Sequence, residues 1–282
     1  MTSSKLSESG ALGALREADP LRYAAVLYMP QEKRAPIASI WLFQSEIERI
    51  RDLVSEPLPG EIRLQWWRDV FLGMRDGEAK QNPLAVDLLE TIDANGLSRD
   101  LFVTFLEAMT FDLYEDPMRE AAQFEGHMGE TQSVFFQMIC QILAGERLQD
   151  GTAAGHAGVA FGVMRTLVDT AKHRTRGQIY VPSNMLDTRK ITADKWLASD
   201  NTAEKCDAIK DFTAFGLDHL AKANSALTDL PVNCRIAFLV LAVCGKTLER
   251  AREKPLDAFN GNIALGPLQT HWTLLKAALR GF

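Results

Sequence analysis

From about Ala18 onward, apolar residues recur three and four positions apart, the spacing that lines one face of a helix, and no stretch sustains the period-two alternation of a half-buried strand. The pattern predicts an all-α chain with helices over residues 21–28, 35–54, 61–76, 84–95, 99–116, 121–143, 152–173, 203–228, 232–253 and 267–279. Pro57-Leu58-Pro59-Gly60, Asn95-Gly96, Gly145, Gly177 and Asn260-Gly261 fall between these segments, where a missing N–H or a left-handed backbone ends a helix. Ser98 stands where an N-cap belongs. Residues 1–17 are polar and read as a flexible N-terminus, with 18–282 as a single domain. Residues 177–201 are the least regular and read either as a connector or as a lid.

The longest apolar run, 236–245, is about half of what a bilayer span requires, so it predicts a buried helix rather than a membrane anchor. The first ten residues lack the apolar stretch of a secretion signal, which makes a cytoplasmic location, or the inner face of a membrane, the expectation. With 46% hydrophobic and 24% charged residues the chain has material for a sizeable core and no signature of disorder. A net charge of −6 removes the general attraction on which a nucleic-acid binder depends. The cysteines at 140, 206, 234 and 244 have neither CxxC spacing nor a zinc-ligand partner, and read as free thiols in a reducing compartment.

Several acids have spacings that matter chemically. Glu48 and Asp52 are four apart in a predicted helix, so they either share a divalent cation or lie on a solvated charged face. Asp169 and His173 repeat the spacing near the end of another helix, and Glu107 and Asp112 sit in an otherwise apolar stretch where a carboxylate needs a partner. Asp112 and Asp116 imitate a metal pair, but Pro117 marks a frayed end there. The cations Arg165, Lys172, Arg174 and Arg176, with His173, have two readings. They complement a helix C-terminus, or they hold a phosphate or lipid headgroup without metal. Trp66 and Trp67 diverge by about 100° on a helix, which places one in the core and the other at a rim or an interface.

Three ordered stretches resemble the squalene/phytoene synthase family. They are Met29-Pro30 to Arg34, leading through Ile40-Trp41-Leu42-Phe43 to Asp52; Glu107 to Leu113; and Ala160 to Pro182, which ends Arg176-Gly177-Gln178-Ile179-Tyr180-Val181-Pro182. The resemblance implies the isoprenoid synthase fold, a single helical bundle around a central apolar cavity. In it two Asp-rich motifs hold Mg²⁺ against a prenyl diphosphate, because a hard cation wants oxygen ligands and the leaving group needs its charge neutralised. Matched position by position, the first motif falls on Glu48, Arg49 and Asp52, and the second on Asp169 and His173, with Lys172 at another commonly acidic place. The implied catalytic candidates are therefore Glu48, Asp52, Asp169 and His173. Glu48, Asp52 and Asp169 are the implied metal ligands, and Arg34, Arg165, Lys172, Arg174, Arg176 and Tyr180 are the implied substrate or anion contacts.

The acids are eroded in this chain. Helical spacing predicts that Asp169 is paired by Arg165, Lys172 and His173 and that Arg51 competes for Glu48, leaving weak or absent Mg²⁺ binding. Glu56-Pro57, Arg63-Leu64-Gln65-Trp66-Trp67-Arg68, Glu130-Thr131-Gln132-Ser133 and 174–182 resemble one branch, which contains a mitochondrial complex I assembly factor of phytoene-synthase-like type and bacterial relatives. That implies a non-catalytic protein that binds a lipid, an isoprenoid or a respiratory assembly client, with peripheral membrane contact. The alternatives are an active Mg²⁺-dependent enzyme joining two prenyl diphosphates head to head, and a helical scaffold with a filled core.

Overall fold

A computed structural model describes residues 8–281, and every regular element among them is helical. The helix Pro267–Leu279 has the bounds the pattern predicts. Pro83–Asn95 begins one residue early and ends at Gly96, whose φ of 59° supplies the left-handed cap. Of the N-terminal segment expected to be flexible, residues 1–7 lie outside the described residues, and the rest departs from expectation, since Glu8–Ala18 is a helix whose Ala11 and Leu15 are buried in the main core. Those two apolar residues, four apart, suffice to seat one turn on the bundle.

Two predicted helices are interrupted where the resemblance places its acids. The first is Gln31–Glu48 followed by Ile50–Leu53, with Arg49 between them at φ −84° and ψ −8°. The second is Thr152–Val168 followed by Thr170–Thr175, with Asp169 at φ −95° and ψ 8°. Neither break carries a proline or glycine, so the sequence pattern runs through both. The first break turns the acids on its two sides toward different partners, Glu48 to Arg22 and Asp52 to Lys172.

At the centre of the bundle, Thr152–Val168 is buried nearly all round and packs along Ala203–Ala226. Gly216 allows that approach, since a Cβ there would lie 2.7 Å from Val163 Cγ1, and Gly158 allows another on a different side. A Cβ added at Gly158 would lie 2.5 Å from the Ser133 backbone nitrogen, so only glycine lets the neighbouring chain come so near. That neighbour runs as Ala121–Met128, a π-helical turn Gly129–Ser133, and Val134–Ala144. The Ser133 hydroxyl donates to the Gly155 carbonyl at 3.1 Å and the Thr131 hydroxyl to the His127 carbonyl at 2.7 Å, which supplies local partners to a turn with an irregular ladder.

The interior is packed with aromatic rings. Phe43 meets Trp67, Phe71, Phe102 and Phe105 edge to face at 4.9–5.8 Å, and Phe136 stacks on Phe238 at 5.2 Å. The enclosed space bounded by Arg22, Trp41, Gln44, Phe136 and Phe161 is about 10 Å³, at the lower limit for one water molecule. Where the resemblance implies an apolar cavity, this part of the bundle is filled. Trp67 is buried and Trp66 lies at the rim with its indole N–H on Glu78 at 2.8 Å, as the divergence of adjacent tryptophans predicts.

Residues 177–201 form a braced connector. They contain the short helices Ser183–Thr188 and Ala193–Leu197, and Trp196 is buried against Phe259. The buried Lys205 ammonium donates to the carbonyls of Ala198 and Asp200 and to the Asp200 carboxylate, each at 2.8 Å.

Candidate functional site

The two broken helices face each other across a cleft of about 140 Å³. Glu48, Asp52, Arg165, Asp169, Lys172, His173, Arg176 and Tyr180 all line it, so most of the residues singled out in the sequence converge. Arg34 and Arg174 do not. Arg34 donates from Nε to the Met29 carbonyl at 2.9 Å and braces the turn before its own helix. Arg174 points away, with its guanidinium 3.8 Å from the Phe259 ring centroid and a 2.6 Å hydrogen bond to the Ala198 carbonyl. Two residues from both Lys172 and Arg176, it projects roughly opposite them on the same turn.

Glu48 ends its helix pointing inward, onto Arg22. The guanidinium donates to both carboxylate oxygens, Nη1 to Oε2 at 2.9 Å and Nη2 to Oε1 at 3.1 Å, a bidentate pair. Oε1 also accepts from Gln44 at 3.0 Å and Gln132 at 2.8 Å, while Arg165 stands 3.8 Å from Oε2. Burial pushes the Glu48 carboxyl up, but the charges of Arg22 and Arg165 and the hydrogen bonds from Arg22 and Gln132 outweigh it, and the group sits below its ordinary value. Arg22 is itself buried, and Asp19, 3.3 Å from its Nη1, shares its charge.

Asp52 lies past the break and turns the other way. The Lys172 ammonium meets its Oδ2 and the Arg176 guanidinium its Oδ1, both at 2.5 Å. Partial burial raises the Asp52 carboxyl, and the two cations more than offset this, holding it low. Two positive side chains from the second segment therefore join it to the first segment's acid.

The pairing expected around Asp169 does not form. Arg165 reaches Asp19 at 3.7 Å and Glu48 at 3.8 Å, and Lys172 goes to Asp52. Among the described residues no hydrogen bond or ion pair within 4.0 Å engages the Asp169 carboxylate. The helical register is kept through it, with the Asp169 N–H on the Arg165 carbonyl at 3.0 Å and the His173 N–H on the Asp169 carbonyl at 2.9 Å, but the cations at helical spacing reach acids on other elements instead. Arg51, expected to compete for Glu48, instead donates to the Val54 carbonyl at 3.2 Å. Burial depresses His173 to about 4, with the Asp169 and Asp112 charges only partly offsetting it, so the imidazole is neutral at neutral pH. It packs against Tyr180 at 4.6 Å between centroids.

Asp112 closes the far wall, and the sequence reading undervalued it. Its Oδ1 accepts from the Tyr180 hydroxyl at 2.9 Å and lies 3.2 Å from His127 Nε2. Burial and the nearby Asp112 carboxylate raise the Tyr180 phenol well above its usual range. Glu107, in contrast, faces outward and pairs with Arg68 at 2.7 Å. The sequence reading also missed Arg22, Asp19, Gln44, Gln132 and His127. A signal existed for Arg22, since a charge flanked by Leu21 and Ala24-Ala25-Val26 on an apolar helix demands a buried counter-charge.

A Mg²⁺ bridging the two segments wants several free oxygens in near-octahedral array. Both oxygens of Glu48 and both of Asp52 are already engaged by cations or amides, and no group of three or more His, Cys, Asp or Glu among the described residues is arranged to hold a metal. The residues as placed do not fit the ion.

Comparison with known proteins agrees with this fold. The squalene/phytoene synthase family model matches residues 15–275. The chain is 24% identical over 268 residues to NADH dehydrogenase (ubiquinone) complex I, assembly factor 6 from Bos taurus, covering 95% of this chain and 79% of that one. It is 26% identical over 174 residues to a presqualene diphosphate synthase from Sinorhizobium fredii, covering 61% of each. A crystal structure of a dehydrosqualene synthase superposes with a TM-score of 0.83 at 13% identity, covering 98% of this chain and 97% of that chain, a likeness of fold. With the matching helices, the converging cleft and a family match across nearly its whole length, this chain belongs to the squalene/phytoene synthase family.

Proposed function

We propose that this chain is a non-catalytic member of its family that serves in assembly of a respiratory NADH dehydrogenase, and that the cleft is a structural or binding element rather than a prenyl diphosphate active site. The observation that carries the reading is the closure of the acid motifs by protein cations, Arg22 on Glu48 and Lys172 with Arg176 on Asp52. An enzyme of this chemistry needs those carboxylates for metal. The space directly behind Glu48, beside its partners Arg22, Gln44 and Gln132, supports the same reading, since at about 10 Å³ it has no room for a prenyl chain to continue from the acids. The assembly role itself rests on the relatives named as complex I assembly factors.

A second reading, head-to-head condensation of two prenyl diphosphates with Mg²⁺, draws support from the unengaged Asp169 carboxylate in the cleft. One pair of measurements separates the two. Deletion of the gene in its own host is expected to lower assembled NADH dehydrogenase on native gels, with recovery on complementation. Purified protein given farnesyl or geranylgeranyl diphosphate and Mg²⁺ is expected to release no diphosphate. Normal assembly in the deletion strain overturns the proposal, as does steady turnover that disappears on Asp52→Ala with Asp169→Ala.

A further inference from the structure

The C-terminal helix Pro267–Leu279 has two apolar faces, and only one is used by the bundle. Leu274 is fully buried and joins Ala24, Leu239 and Val243 in a small cluster apart from the main core. On the outside Leu268 is 86% exposed, Trp272 55%, Leu275 37% and Leu279 78%. Their spacing of four, three and four residues places them on one stripe, about 16 Å long at the helical rise. Single exposed leucines are ordinary, whereas four large apolar side chains in register on one helix mark an interaction surface.

Charge decides what covers it. The chain has a net charge of −6, yet residues 266–281 contain no Asp or Glu and carry His271, Lys276 and Arg280. The Lys276 ammonium lies 4.9 Å from the Trp272 ring centroid, so the cation rides at the border of the apolar stripe. No carboxylate among the described residues is ion-paired with Lys276 or Arg280. A second copy set against this face would bring unpaired cations together, whereas an anionic lipid surface supplies both the apolar layer and the missing negative charge. Trp272 in mid-stripe suits the same boundary, with an apolar ring and a polar N–H. No described helix is long and apolar enough to cross a membrane.

We infer that Pro267–Leu279 is an in-plane membrane-docking helix that seats the protein on anionic lipid through Leu268, Trp272, Leu275 and Leu279, with Lys276 and Arg280 at the headgroups. The inference does not rest on the assembly reading and holds equally for an enzyme. The experiment is co-sedimentation of the full chain with vesicles of phosphatidylcholine plus phosphatidylglycerol, and with phosphatidylcholine alone. Binding is expected to the anionic vesicles only and to weaken with salt. The change L268E with L279E is expected to reduce it by roughly a hundredfold or more, from the transfer free energy of two leucines, with unchanged Tm because both positions are solvent-exposed. K276E with R280E is expected to abolish the preference for anionic lipid. As a folding-independent check, the difference in emission between wild type and Trp272→Phe is expected to shift to the blue on anionic vesicles. The inference is overturned if wild type stays in the supernatant, if L268E with L279E binds as well as wild type, or if the wild-type chain is a dimer that this double change converts to monomer.

Discussion

Asp52 and Lys172 are 120 residues apart in the chain, and their carboxylate and ammonium meet at 2.5 Å, with Arg176 on the other oxygen of the same carboxylate. A protein cation thus stands where the family resemblance places a metal, and it ties the same two segments together. If that substitution is what excludes Mg²⁺, reversing it should restore a response. Wild-type Tm is expected not to rise in millimolar Mg²⁺, while Lys172→Asp with Arg176→Gln, which frees Asp52 and adds an acid beside it, is expected to gain stability on adding Mg²⁺ by thermal melts. No Mg²⁺ response in the variant would reject the idea that these two cations are the obstacle.

Arg22 and Glu48 form the buried counterpart of that pair, and they differ from it in energetics. Lys172 and Asp52 are partly exposed, so Asp52→Asn is expected to cost no more than about 1 kcal/mol. Glu48→Ala strands a buried guanidinium and is expected to cost about 3–5 kcal/mol, whereas Arg22→Met with Glu48→Met is expected to cost much less than the sum of the single changes. Additive losses in chemical denaturation would contradict the account. The pH dependence has a definite sign. Because the Glu48 carboxyl is depressed in the folded state, its contribution is complete above its unfolded value of 4.5 and is lost as pH falls through the lower folded value. Glu48→Gln should flatten that part of the acid limb.

His173 loses stability over a higher pH window. Its folded value of about 4 lies below the ordinary 6.5, so the unfolded chain takes up a proton that the folded one refuses. Stability from this group is complete above 6.5 and declines as pH falls toward 4, by up to about 3 kcal/mol. The expected observation is an imidazole whose NMR shifts do not titrate between pH 5 and 8, and a shallower loss of stability over pH 6.5 to 4 in His173→Gln. An ordinary titration midpoint near 6.5 would show the ring to be solvated.

The helices were legible because their apolar spacing is strong, and the convergence of Asp52, Arg165, Lys172 and Tyr180 was legible through ordered motifs. The partners were not. Spacing rules see only acids on the same helix, so Asp169 was assigned Arg165 and Lys172, which stay at helical spacing from it yet reach Asp19, Glu48 and Asp52 on other elements. Arg174 was grouped with Lys172 and Arg176 by composition, although a two-residue offset on a helix sends it to the opposite side. Arg22 was hidden for the converse reason, since its partner Glu48 lies 26 positions away and no local pattern links them.

The last prediction concerns how the site is held. Gln132 reaches Glu48 only because the π-helical turn Gly129–Ser133 is pressed against the central helix, and that contact passes over Gly158. A methyl group at Gly158 would lie 2.1 Å from Ser133 Oγ, 2.5 Å from its backbone nitrogen and 2.8 Å from its Cα, so main chain must move. At Gly162 the added methyl meets Met128, nearest at its sulfur, which can swing aside. Gly158→Ala is therefore expected to destabilise by about 3 kcal/mol or more, at or beyond the upper end of ordinary overpacking, and Gly162→Ala by less. Because displacing the turn withdraws Gln132 from Glu48, Gly158→Ala should also move the acid limb of the stability profile toward higher pH, a change that Gly162→Ala should not share. Equal losses from the two variants, with identical pH profiles, would mean that the turn is seated by something other than its contact with Gly158.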